Sequence, residues 1–118
     1  MVMLKKYQSI SFQPPPEVAL EAVEGLALRR EFGRGGTRVG IARARDLKNR
    51  RNLSPSTIKR MVSYFARHEV DKQGKDWNSS HKPSNGRIAW LLWGGDSGRS
   101  WATKINEQMK RADKRLTR

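Results

Sequence analysis

The stretch SPSTIKRMVSYFARH, residues 54–68, decides the fold class. Ser54 has the short hydroxyl side chain that caps a helix, and Pro55 follows at the first helical position, where its missing N–H costs nothing. Ile58, Met61, Val62 and Phe65 then recur at i, i+3, i+4 and i+7, which is one face of a helix. Ser56, Lys59, Arg60, Ser63 and Arg67 fall away from that face, so the spacing predicts an amphipathic helix ending near Glu69 and Val70.

The same logic works outward. Pro14-Pro15-Pro16 precedes a segment with Glu17, Glu21 and Glu24 in its first half and Arg29 and Arg30 near its end. That order complements a helix dipole and predicts a first helix over 16–32, with Val18, Ala19, Ala22, Val23 and Leu26 inward and Gly33 as its stop. Thr37 caps a second helix over 38–49, with Ile41, Ala44 and Leu47 inward and Arg38, Arg43, Arg45 and Lys48 outward. A fourth helix over 87–93 is apolar all round and is expected at the centre, Trp90 included. Asp96 is the expected cap of a fifth helix over 97–114, with Trp101, Ile105, Met109 and Ala112 as its buried stripe. No stretch alternates as a strand does. The expectation is an all-α bundle of about five helices, with a loose arm over 1–15, a single helical domain over 16–114 and a basic tail over 115–118. A long loop spans 71–86, pinned by Trp77.

Length and charge set the function classes. One domain fits in 118 residues, and without cysteine there are no disulfides, thiol nucleophiles or Cys-based zinc sites. No apolar run approaches the ~20 residues of a membrane span and no secretory signal is evident, so the expected locations are a cytoplasm or a virion, without membrane partners. The net charge is +14. It is uneven: residues 31–60 hold nine cations against two carboxylates. Such clustering points to a polyanion bound through counterion release.

Two motifs sharpen that. Helices two and three, with a short turn between them, form a candidate helix-turn-helix, the second helix entering a major groove. Its nucleic-acid contacts would be Arg34, Arg38, Arg43, Arg45, Lys48, Arg50, Arg51, Ser56, Lys59, Arg60, Ser63 and Arg67. The loop Gly33-Arg34-Gly35-Gly36-Thr37 offers backbone amides to a phosphate, or serves as a plain interhelical turn; it has no P-loop pattern. Trp77 is the candidate base-stacking platform. Catalysis finds little support: His68 and His81 are not spaced to work together, and Asp71 with Asp76 lacks a third carboxylate for a metal. No enzyme activity and no cofactor is expected. DNA is favoured over RNA, and the competing class is a protein-interaction module: a virion or head-assembly component, or a small inhibitor of a host enzyme.

Four longer runs carry a family likeness. GRGGT at 33–37, ARARDL at 42–47, SYFARHEVD at 63–71 and PSNGRIAWLLWGGDSG at 83–98 resemble a small module of tailed phages and prophages, found alone or beside head-assembly proteins such as prohead proteases. The resemblance spans about residues 16–113. It implies a phage origin and no mechanism, and it carries over no catalytic residues.

Overall fold

Five helices, α1 (Pro16–Phe32), α2 (Arg38–Lys48), α3 (Pro55–His68), α4 (Asn85–Leu92) and α5 (Gly95–Leu116), and two short 3-10 turns at Lys5–Tyr7 and Glu69–Gln73 make up the regular structure. The computed structural model describes residues 5–116, and no strand occurs among them. The all-α bundle is as the hydrophobic periodicity predicts. No helix among the described residues is long and apolar enough to cross a membrane.

α4 is the hub. Ser84 caps it by accepting the Arg87 N–H at 3.1 Å, and Ile88, Trp90, Leu91 and Leu92 are all buried. α1 lies against α4 so closely that a Cβ on Gly25 would sit 2.7 Å from the Leu92 nitrogen. α2 packs on α1 and α4, while α3 packs chiefly on α5. Trp77 holds the 74–84 loop to the body, its ring edge-on to Trp90 at 5.8 Å and its carbonyl accepting from Arg87 at 3.0 Å. Its partners make it a structural anchor.

Several expectations are corrected. Residues 5–15 are not loose: Tyr7, Phe12 and Pro14 are buried, and the Leu53 N–H donates to the Phe12 carbonyl at 3.0 Å. The Tyr7 hydroxyl donates to Asp113 at 2.8 Å, and Lys6 pairs with the same carboxylate at 2.9 Å. Residues 1–4 of the expected arm and 117–118 of the expected tail lie outside the described residues, whereas 115 and 116 continue α5.

Asp96 does not cap α5, which begins one residue earlier. Its carboxylate accepts the Trp90 indole N–H at 2.9 Å and pairs with Lys72 at 2.8 Å, and these bonds, Lys72's foremost, hold its pKa below the ordinary carboxylate range. Glu21 of α1 caps α5 instead, accepting the Ser97 N–H at 3.0 Å where the helix dipole favours negative charge. Val23 and Trp101 are not buried either; the inner stripe of α5 runs through Ala102, Ile105, Met109 and Ala112.

The helix-turn-helix is also absent. No Cα of α2 comes within 8 Å of a Cα of α3, so the two helices lack the mutual packing that defines the motif. Each found a better partner for its apolar face elsewhere in the bundle.

Candidate nucleic-acid interface

α3 is built as its sequence predicts. The Thr57 N–H donates to the Ser54 hydroxyl at 3.2 Å, satisfying one of the helix's open donors. Ile58, Met61, Tyr64 and Phe65 turn inward and are buried. At 100° per residue, Ser56, Lys59, Arg60, Ser63 and Arg67 then share a sector about 100° wide on the far side, and all five are exposed. No carboxylate occurs anywhere in α3. Among the described residues, Lys59, Arg60 and Arg67 enter no ion pair.

This face borders a groove of about 550 Å³ whose wall includes Thr37, Val39, Tyr64, His68 and Trp93. Its rings are ordered by stacking: Tyr64 lies on Trp93 with centroids 4.5 Å apart and planes 7° apart, and on His68 at 4.5 Å and 27°. The His68 Nδ1 and an Asp71 oxygen are 3.0 Å apart. The Tyr64 hydroxyl is buried without a hydrogen-bond partner. Burial, with Asp71 nearby, pushes the phenol's pKa up, against a smaller opposing effect of Arg67.

Arg43 corrects the sequence reading most sharply. It was expected to point outward, yet it is only 9% exposed. Its guanidinium sits 5.4 Å from the Trp93 ring centroid and 3.6 Å from Asp46, and its Nε has no partner. Burial lowers its pKa, Asp46 works against that, and the charge of Arg60 adds to the lowering. It is a packing residue under the groove, its charge set on an aromatic face.

The other candidate residues are dispersed. Arg38 is exposed at the start of α2. Arg45 and Lys48 are exposed on the opposite flank of α2 from Val39 and Arg43, and line a separate cleft against α1. Arg50, in a left-handed conformation at φ 50°, donates from Nε to the Pro14 carbonyl at 2.8 Å and so clamps the N-terminal segment. Arg51 pairs with Asp46 at 3.0 Å. Arg34 donates to Asn85 at 2.6 Å and covers the Phe32 ring.

The glycine loop is a spacer against α4. A Cβ on Gly36 would fall 2.4 Å from a Leu92 methyl, and one on Gly35 would fall 2.8 Å from Ile88. Glycine is therefore required there by close approach, and the left-handed φ of 78° at Gly36 adds to that requirement.

The structure thus brings together the α3 set and places Arg45 and Lys48 of α2 on a separate cleft. It also adds Trp93 and His68, expected in the core and at the surface, and Tyr64, for which the sequence carried no expectation. Their only signals were the i, i+4 spacing of Tyr64 and His68 and the Trp at the end of an apolar helix. Among the described residues no three His, Asp or Glu side chains come together as a metal site. No protein-family model, no curated protein and no solved structure matches the chain.

Proposed function

We propose that this chain binds duplex nucleic acid through phosphate contacts made by the outer face of α3. The observation that carries the reading is the set of unpaired cations Lys59, Arg60 and Arg67 on one sector, interleaved with the small Ser56 and Ser63, in a helix without a carboxylate. Small hydroxyl residues let a phosphate approach the helix and donate hydrogen bonds to it, while the cations release its counterions. DNA is the preferred duplex, because the wide major groove of B-form DNA admits a helix and the deep, narrow groove of A-form RNA does not. Without a helix-turn-helix to fix the register on bases, the reading is one of sequence-independent binding. The resemblance to the phage module supports a setting of genome handling or packaging, in the host cytoplasm or the virion. The proposal assigns binding and no catalysis.

The test is fluorescence anisotropy of a labelled random-sequence duplex across a salt series. Lys59→Ala, Arg60→Ala and Arg67→Ala combined should lower the slope of log affinity on log salt by about 2.7, at about 0.9 per phosphate contact. Circular dichroism should be unchanged, since all three side chains are exposed. A folded triple variant that binds with the wild-type slope rules out this face.

A further inference from the structure

α1 leaves apolar side chains on its outer surface as well as on its inner one. Val18, Ala19, Ala22 and Gly25 face inward, yet Leu20 is 69% and Val23 40% exposed, and Ala27 is exposed one turn on. Positions 20, 23 and 27 fall on one strip, with Glu24 on one side of it and Arg30 on the other. Beside that strip, α1 and α2 enclose a cleft of about 390 Å³ floored by Val23, Leu26, Ala27 and Ile41. Its rim carries Arg29 and Arg30 from α1 and Arg45 and Lys48 from α2. No carboxylate lines the cleft, and among the described residues none of the four cations enters an ion pair. The Arg29 Nε is buried with no hydrogen-bond partner.

We propose that this cleft docks an acidic amphipathic helix of a partner protein. The partner's apolar side chains cover the Val23 and Ile41 strip, and its carboxylates meet the four cations, the helix-in-groove mode of recognition. A phosphate backbone would satisfy the charge but offers no apolar surface to cover Leu20, Val23 and Ile41, and an uncharged apolar partner would strand the cations. An acidic amphipathic surface answers both demands. This inference is independent of the α3 reading, because Lys59, Arg60 and Arg67 belong to α3 while Arg29, Arg30, Arg45 and Lys48 belong to α1 and α2, so the two sets can be removed separately.

The test uses two labelled synthetic peptides of identical Leu, Ala and Glu composition, one with Leu at i, i+3, i+4 and i+7 and one scrambled. The amphipathic peptide is expected to bind the full chain about tenfold or more tighter than the scrambled one, a difference of about 1.4 kcal/mol. Arg45→Glu with Lys48→Glu should cost about tenfold or more, since rim cations become like charges. Val23→Ser should weaken the amphipathic peptide and leave the scrambled one unaffected. The α3 triple variant should bind the peptide as wild type does. Equal affinity for the two peptides would reduce the cleft to a charge effect and overturn the proposal. So would loss of binding in the α3 variant, displacement of the peptide by duplex DNA, or wild-type self-association abolished by Leu20→Ser, which would name a second copy as the occupant.

Discussion

α1 and α3 enter the bundle alike, each with proline at the first helical position, and each ends in basic residues. They meet their neighbours in opposite ways. α3 turns large side chains inward: Ile58, Met61, Tyr64 and Phe65 fill space against α5 and α4, and everything left outside is polar or small. α1 turns smaller ones inward, Val18 being the largest of Val18, Ala19, Ala22 and Gly25. Ala22 and Gly25 let its backbone approach that of α4, where the Leu91 carbonyl carbon would lie 2.9 Å from a Cβ on Gly25. Its Leu20 and Val23 are left outside because such a close crossing has no room for them. A hydrophobic stripe therefore marks the inner face only where helices are held apart by side chains. Where backbones touch, glycine and alanine mark it, and the large apolar residues stay free for another surface.

The contrast can be broken most forcefully at Met61. Met61→Ala removes fully buried volume and should cost about 2–5 kcal/mol in urea unfolding. A loss below about 1 kcal/mol would show that α3 does not depend on side-chain filling. Gly25→Ala tests the other helix by adding a methyl group. Helix propensity alone favours alanine by about 1 kcal/mol, but the obstructing atoms are backbone, so overpacking should win and cost about 1–3 kcal/mol. The sign decides, and a stabilised Gly25→Ala protein would mean that α1 and α4 are not in backbone contact.

The smallest effect belongs to Tyr64. Its hydroxyl is buried and unpartnered, so Tyr64→Phe should be neutral or stabilising by up to about 1 kcal/mol at pH 7. The phenol's pKa is raised in the folded protein, so its contribution is complete below the unfolded value of 10.0 and is lost as pH rises through the folded value. Wild type should lose stability above about pH 10, and Tyr64→Phe should lose less, the remainder including Tyr7, which is shifted the same way. Urea midpoints from pH 8 to pH 11 would read the difference, and identical alkaline profiles would contradict it.

Where local chemistry sets an element, the sequence was legible. The bounds of α1, its Gly33 stop, the Ser54 cap and the outer sector of α3 follow from residues within a few positions of one another. The misreadings are tertiary. Arg43 lies at the edge of the buried sector of α2, and beside the local Asp46 it is Trp93, fifty residues on, that receives its guanidinium. Tyr7 and Phe12 sit in a segment with no sustained periodicity to read, and their burial depends on distant partners such as Asp113 and Leu53. The helix-turn-helix failed because two amphipathic helices near in sequence need not choose each other when α1, α4 and α5 offer larger apolar faces. Within the candidate site, the charged sector was visible and the ring stack beside it was not, since stacking joins α3 to the end of α4.

The bond between Tyr7 and Asp113 spans 106 positions of the chain. Closing a loop of that size costs roughly 4 kcal/mol in its length-dependent part alone, far more than one part-buried hydrogen bond returns. The clasp therefore cannot lead folding. It fastens after α5 has docked on α3 and the N-terminal segment has found Leu53. Order of assembly is thus written into this chain: the helices first, then the strap across them, then the buckle.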